Sequence, residues 1–236
     1  MRQGYRATVV GVVGAAGGVG ASTLAALVAR RLSRTTATAL VDLDPAAAGI
    51  EVTVGLEEVD GARWPDLRAA GGDVRGSDVL ALLPRWGSCA VLSADRTRPD
   101  AVDAGVRVDV LHALASTVGA VVLDLGRASV VEGDAPLPAC DAVVVVARPD
   151  LRSVAGLVAM RPRLDAAGAL RGLVLQGPAP GGLGALDVAD ATGLDVWHVA
   201  GRDRALAARA ERAGLTGRGP ASRTADAVVR RLGAVA

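Results

Sequence analysis

VVGAAGGVGASTLAALVARRL, residues 12–32, decides the fold of this chain. A β-branched apolar run enters a turn that contains four glycines, and apolar residues at helical spacing follow the turn. Closely spaced glycines bring backbone N–H groups near an anion, and the start of the next helix adds about half a positive charge. The stretch therefore predicts a strand, a phosphate-binding loop and a helix, although the loop contains no lysine.

Apolar runs alternate with helix-like stretches along the rest of the chain, which predicts an α/β fold: a doubly wound, mostly parallel sheet flanked by helices. Ligands of such sheets bind at the carboxyl ends of the strands. The segment 57–100 is predicted as a helical excursion followed by a strand at 89–93, and the whole chain, 1–236, as a single domain. Strands are predicted at 7–13, 36–45 (stopped by Pro45), 119–126, 140–150, 171–177 and 193–199, and helices at 22–33, 104–117, 150–167, 184–192, 203–213 and 222–233.

Composition restricts the partners. The net charge is +1 and only four residues are aromatic, so we expect no nucleic-acid binding, which uses basic patches and stacking rings. Cys89 and Cys140 lack metal-ligand spacing and are expected to be reduced core thiols of a cytoplasmic protein. His112 and His198 are too isolated to indicate a metal site. We expect a soluble chain, since it shows no leader and no apolar run of about 20 residues.

Three motifs resemble those of one known family. GAAGGVGAST, 14–23, is similar to the deviant Walker A loop of the MinD/ParA P-loop ATPases, GxKGGxGK followed by Ser or Thr and then Thr. VDLD, 41–44, resembles the switch I acidic motif of that family, and VVLDLG, 121–126, its Walker B strand. Residues 82–99 and 172–183 are similar to the CpaE-like branch, which includes the septum site-determining protein Ssd. Members of that branch often carry an N-terminal receiver-like domain, which we do not expect here.

The resemblance implies a role for each matching residue. It places Mg²⁺ on Ser22, Asp42 and Asp124, makes Asp44 the catalytic acid nearest the attacking water, and puts Gln176 where the family often has an adenine-contacting Asn. The remaining residues implied to bind ATP are Gly14, Ala16, Gly17, Gly18, Val19, Gly20, Ala21, Ser22 and Thr23.

Structural roles remain open as alternatives for the predicted acids and for the glutamine. Asp42 and Asp44 would then be ordinary acids at the end of a strand, and Asp124 a helix-capping group. Gln176 would be a loop residue without contact to a ligand.

The departure from the family pattern concerns charge. The two loop lysines of active relatives are replaced by Ala16 and Ala21, and the chain contains no lysine, so a homodimer supplies none either. All 26 basic residues other than histidine are arginine, as in a GC-rich gene, yet neither loop position is Arg. Losing one charged hydrogen bond weakens binding about ten- to a hundred-fold, and losing a catalytic cation slows phosphoryl transfer by about 10³ to 10⁵.

These losses predict a degenerate protein that binds ATP with Mg²⁺ weakly or not at all and hydrolyses little or none. One alternative is a slow Mg²⁺-dependent ATPase in which Arg127 or Arg148 replaces the lysines. A second is a noncatalytic dinucleotide-binding module, because GAAGGVG also fits the glycine turn of short-chain dehydrogenases. An active dehydrogenase of that kind is disfavoured, since Tyr5, the single tyrosine, precedes the first predicted strand.

The resemblance also implies partners. It predicts a positioning or scaffold factor, a homodimer that does not require ATP, and protein partners in a Tad pilus or secretion machinery or at the division septum. Peripheral association with the inner face of the membrane is a further expectation. Residues 224–236 fit either a membrane-touching amphipathic helix or an ordinary docking helix, and the apolar residues of 205–215 are predicted to face the core.

Overall fold

A computed structural model describes residues 7–44, 49–72, 74–98, 102–177, 181–201, 203 and 205–233. In these residues the strands are β1 (Thr8–Gly14), β2 (Thr38–Leu43), β3 (Arg85–Trp86), β4 (Cys89–Leu92), β5 (Ala120–Leu125), β6 (Ala142–Ala147), β7 (Leu170–Gln176) and β8 (Val196–Ala200). They form one eight-stranded sheet of order β3-β4-β2-β5-β1-β6-β7-β8, in which β3 pairs antiparallel with β4 and every other pair is parallel.

Helices cover both faces of the sheet. Side chains of α1, α2 and α9 share one apolar cluster with one face of the strands, and those of α3 to α7 share a second cluster with the other face. The helices are α1 (Ala21–Leu32), α2 (Ile50–Val54), α3 (Gly76–Leu82), α4 (Ala104–Ala115), α5 (Arg127–Glu132), α6 (Leu151–Ala166), α7 (Ala185–Thr192), α8 (Leu206–Ala213) and α9 (Pro220–Gly233).

Uninterrupted apolar sequence explains the middle of the sheet. Every residue of β2, β5 and β6 is buried, as expected for parallel strands that are covered on both faces. In β1 the alternation of side chains sends Val10 and Val12 into the cluster around α1, and Val9 and Val13 into the opposite cluster. The prediction of a doubly wound, mostly parallel sheet is confirmed.

The strand order separates this sheet from a dinucleotide-binding fold. In the usual Rossmann order the first two strands are neighbours. Here β5 lies between β1 and β2 and pairs with both over six residues. The glycine turn therefore follows a strand that is flanked by β5 and β6, an arrangement that differs from the Rossmann order on which the dinucleotide-binding alternative was based.

The irregular segment combines short elements that sequence periodicity does not resolve. The strand predicted at 89–93 is confirmed as β4, and the excursion before it contains a 3-10 turn at Trp64–Leu67, helix α3 and the two-residue strand β3. Helices α2 and α5 were not predicted because five or six residues are too few to show a helical period. The predicted stop at Pro45 lies outside the described residues.

The C-terminal helix packs on the sheet. Val228 of α9 is fully buried, and Val229 and Leu232 are half-buried against the cluster that contains α1, so α9 has the contacts of a docking helix. The apolar residues of 205–215 were expected to face the core. Leu215 is buried and confirms this, but the expectation is wrong for Ala207 and Ala208, which are exposed.

The cysteine prediction is confirmed for burial, since Cys89 and Cys140 are both buried and free. Among the described residues, no helix combines the length and the apolarity that a bilayer crossing requires.

Helix α6 touches the glycine turn through Gly156. A methyl group at Gly156 would overlap the carbonyl oxygen of Ala15, so we expect Gly156→Ala to displace the loop or the helix. Overpacking costs about 1 to 3 kcal/mol, whereas alanine in a helix gains only about 0.5 to 1 kcal/mol over glycine, so a net loss of about 1 kcal/mol in unfolding free energy is expected.

Urea unfolding followed by tryptophan fluorescence measures this change. Gly233→Ala is the matched control, because a methyl group there meets open space, and it should leave the stability unchanged or slightly higher. A Gly156→Ala variant as stable as the wild type would contradict the contact.

Candidate functional site

The glycine turn is held by the neighbouring strand. Ala15 donates its backbone N–H to the carbonyl of Val146 at 2.8 Å, which extends the β1–β6 pairing by one residue into the loop. Gly18 and Gly20 have φ of 70° and 88°, a region that L side chains rarely adopt. The sequence needs glycine at both positions for the chain to turn into α1.

No side chain caps the start of helix α1, and the same holds for α2, α3, α5 and α8. Asp103 and Asp150 accept N–H bonds at the starts of α4 and α6. The first residue before α1 is Gly20, no side chain caps the helix, and its first turn contains no acid. N–H groups at a helix start need partners, so this end suits an external anion.

Two of the predicted Mg²⁺ residues contact each other. Asp124, near the end of β5, is 2% exposed and forms a hydrogen bond with the side chain of Ser22 in the first turn of α1. Burial raises the pKa of Asp124 to about 7, the charges of Asp42 and Asp44 raise it too, and the Ser22 hydrogen bond opposes the shift. The structure thus brings all four of these predicted residues to one edge of the sheet.

Asp42 lies beside Asp124 in the β2–β5 register but uses its carboxylate within the fold. Its oxygens accept backbone N–H groups from Ile50 at 2.8 Å, Asp44 at 3.1 Å and Ala94 at 3.5 Å. Burial nevertheless outweighs these bonds and raises the pKa of Asp42. These bonds are those of a structural acid at the end of a strand, the alternative left open above, and they compete with metal ligation.

Asp44 follows β2 and packs against the end of β5. It is half-buried, and a methyl group at Gly126 would lie 3.0 Å from its Oδ1 atom. Gly126 thus leaves room for Asp44 at the point where the chain turns from β5 into α5. The position at the strand ends agrees with the predicted role, which stays a prediction.

A cavity of about 580 Å³ opens beside the loop. Gln176, the last residue of β7, lines it and approaches Gly20: its Nε2 atom lies 3.8 Å from where a Gly20 side chain would begin. The structure therefore brings Gln176 to the glycine turn. Other lining residues are Gly18, Val19, Thr23, Arg148, Asp150, Asp203, Leu206 and Thr224.

The two alanines at the lysine positions are part of the apolar packing. Ala16 and Ala21 are half-buried and contact the cluster around α1. Methyl groups at these positions contribute no charge to the loop. Gly17 and Gly18, by contrast, face open space, since a methyl group on either would meet no atom within 4 Å.

Of the two arginines considered as replacements, one reaches the loop. Arg148, directly after β6, donates from Nη2 to the carbonyl of Gly18 at 2.9 Å. Arg127 is the exposed first residue of α5 and does not line the cavity among the described residues.

Sequence analysis missed a buried ion pair behind the site. Arg63 and Glu51 form a salt bridge with side chains 6% and 3% exposed, and Arg63 also donates to the carbonyls of Gly61, Leu56 and Val59. The N–H of Glu51 donates to the buried Ser93 hydroxyl at 3.1 Å. A spacing of twelve residues gives no sequence signal for such a pair. The pair ties helix α2 to the residues around Arg63.

Solved structures share this architecture over nearly the whole chain. A ParA family ATPase from Chlorobium tepidum superposes with a TM-score of 0.79 at 17% identity, covering 94% of this chain and 96% of that one. The fold is that of the MinD and ParA ATPases. The septum site-determining protein MinD from Pyrococcus horikoshii, complexed with Mg-ADP, superposes with a TM-score of 0.77 at 16% identity. The MinC:MinD cell division complex from Aquifex aeolicus gives a TM-score of 0.77 at 18% identity, and each match covers 96% of both chains.

Sequence relatives are longer than this chain. A Mycobacterium tuberculosis protein described as uncharacterized, Rv3660c in strain H37Rv and MT3760 in strain CDC 1551, is 41% identical over 212 residues. The match covers 90% of this chain and 59% of the relative, so the chain spans less than two thirds of the curated relatives it matches. No protein-family model matches the chain.

The raised pKa of Asp124 predicts a pH dependence of stability. The native state holds a proton on this carboxyl up to about pH 7, while the unfolded chain releases it near pH 4, so unfolding free energy falls as pH rises through this window. We expect a loss of about 2 kcal/mol between pH 5 and pH 8, to which Asp42 adds in the same direction.

Urea unfolding in EDTA at four pH values between 5 and 8 measures this slope. Asp124→Asn, which cannot ionise, should flatten it, whereas Asp78→Asn, at a side chain 60% exposed, should not. The lowered pKa of His198 opposes this slope, so the comparison with Asp124→Asn decides the matter: equal slopes in the two proteins would show that the Asp124 carboxyl does not hold its proton in this window.

Proposed function

We propose that this chain is a degenerate MinD/CpaE-like P-loop protein that acts as a positioning or scaffold factor, holding ATP weakly or not at all and hydrolysing little or none. One observation carries the proposal. An uncapped, glycine-rich anion loop lies beside Ser22 and Asp124, while both lysine positions are filled by packed alanines. The backbone can still hold a phosphate, but the cations that promote its transfer are missing.

The donor set fits Mg²⁺ only in the company of a nucleotide. Mg²⁺ prefers oxygen ligands and is usually bound by one or two protein groups together with substrate phosphates. The Ser22 hydroxyl and, through water, the Asp124 carboxylate would hold it, and the ion would neutralise phosphate charge. Among the described residues, no three His, Cys, Asp or Glu side chains form a group that could hold a metal ion by themselves.

Partners are proposed from the shared fold and its known members. The Aquifex aeolicus neighbour is a MinC:MinD cell division complex, and this likeness supports a protein partner in division. A Tad pilus or secretion machinery as partner, and peripheral association at the inner face of the membrane, are proposed from the sequence resemblance alone. We propose no nucleic-acid partner, since the net charge is +1 and the chain offers few aromatic rings. The runner-up function is a slow Mg²⁺-dependent ATPase, which a turnover assay distinguishes from the proposed function.

A steady-state phosphate-release assay with ATP and Mg²⁺ tests the proposal. We expect release by the wild type to equal the protein-free blank and to be unchanged in Asp44→Ala, because a missing catalytic cation costs about 10³ to 10⁵ in rate. Mg²⁺-dependent release that Asp44→Ala abolishes would overturn the proposal and establish the slow ATPase.

A measurement of ATP affinity on a variant with a positive charge restored to the loop complements the phosphate-release assay. Ala21→Lys should bind ATP about ten- to a hundred-fold more tightly than the wild type, since the new ammonium would meet phosphate oxygens. Ala21→Gln adds a side chain of similar length without charge and controls for the disturbed packing.

We also propose a homodimer that forms without ATP, because Ala16 replaces the lysine that would reach a partner's nucleotide and Ala21 the lysine that would touch the phosphates from within. Light scattering on a sizing column, with and without ATP and Mg²⁺, should give twice the 23.6 kDa chain mass in both buffers. A monomer at every protein concentration, or a dimer only with ATP, would count against it.

A further inference from the structure

A guanidinium lies against the loop that lacks lysine. Arg148 and Gly18 are 130 residues apart in sequence, and the pairing of β1 with β6 brings them together. Nη2 of Arg148 donates to the Gly18 carbonyl at 2.9 Å, and both residues line the cavity. The positive charge therefore sits at the open side of the glycine turn, where a methyl group on Gly18 would meet no atom within 4 Å.

The backbone of Arg148 is fixed in this place. Its N–H donates to the hydroxyl of Ser153 at 3.1 Å, and its carbonyl accepts the N–H of Asp150 at 2.8 Å. Ser153 is fully buried and donates its own N–H to the Asp150 carboxylate at 2.8 Å. These bonds hold the backbone of Arg148 at the start of α6, the helix whose Gly156 packs on Ala15. The guanidinium thus projects from a rigid element that touches the loop.

We propose that Arg148 supplies the phosphate-facing positive charge of the cavity, so that the site takes a nucleoside di- or triphosphate through a guanidinium. The inference rests on the proposed function, since it assumes that the loop holds phosphate. A guanidinium has five N–H donors, and the bond to Gly18 uses one of them. Its planar fork matches two phosphate oxygens at once, so Arg148 can bind a phosphate while it stays on the loop.

Two acidic side chains also line the cavity. Asp150, which caps α6, and Asp203 have carboxylates, which accept hydrogen bonds from hydroxyl and amino groups such as those of a ribose or a base. Their charges would oppose a phosphate, so a phosphate in the cavity needs the guanidinium of Arg148 beside it. Binding strength should accordingly depend on the phosphates and on Arg148 together.

Calorimetric titration of the whole chain with ATP·Mg²⁺, ADP·Mg²⁺ and adenosine tests this role. Arg148→Ala should weaken both nucleotides about ten- to a hundred-fold and leave adenosine unchanged, because only the phosphate contact is removed. Arg148→Lys should recover part of the loss, since an ammonium restores the charge without the fork. The unfolding midpoint of each variant checks that the exposed side chain is not needed for folding.

Arg152→Ala is the matched control, because it removes the same charge from an exposed position in the first turn of α6. It should change each affinity less than twofold. Equal ATP binding by Arg148→Ala and the wild type, an equal loss for adenosine, or a wild type that binds no ATP would overturn the role of Arg148. These binding results do not bear on hydrolysis, so the scaffold proposal would stand in each case. ATP turnover in the phosphate-release assay would overturn the scaffold proposal and leave the proposed role of Arg148 in place.

Discussion

Insertion of β5 between β1 and β2 is the constraint on which the rest of the site depends. Because β5 pairs with both strands, Asp124 lies beside Asp42 and within reach of Ser22. The glycine turn after β1 then faces these acids across the sheet edge. A chain with the same turn but adjacent first and second strands would have placed a ribose-binding acid there, and its chemistry would differ.

At this edge of the sheet, the protein alone has acidic side chains without matching cations in the loop. Two buried aspartates have raised pKa values, and the loop that faces them contributes peptide dipoles but no lysine. Among the described residues, Arg148 donates from its guanidinium to the carbonyl of Gly18 in the loop. A bound phosphate would be attracted by the dipoles and by Arg148, with Mg²⁺ offsetting the acids. Holding a phosphate requires far less positioned charge than transferring it.

The fold could be predicted from the sequence because the patterns that determine it are local. The apolar runs of β5 and β6 and the glycine turn can each be read within ten residues. Strand order and the internal use of Asp42 were out of reach, since they depend on contacts between distant segments. Gln176 was identified by resemblance, and the structure places it in the cavity beside Gly20.

Arg148 was one of two candidate arginines, and only the β1–β6 pairing distinguishes it from Arg127. The pair of Arg63 and Glu51 carries no periodic pattern and emerges only from the fold.

That ion pair has a consequence for signalling. In a protein that changes shape with its ligand, the stretch after the second strand must have two conformations of similar free energy. Among the described residues, Ile50 is bound to Asp42 and Glu51 to Arg63, and removing one partner of a buried ion pair costs about 3 to 5 kcal/mol. We expect helix α2 to keep this one arrangement, so that a partner would meet the same surface at α2 whether the neighbouring cavity is filled or empty.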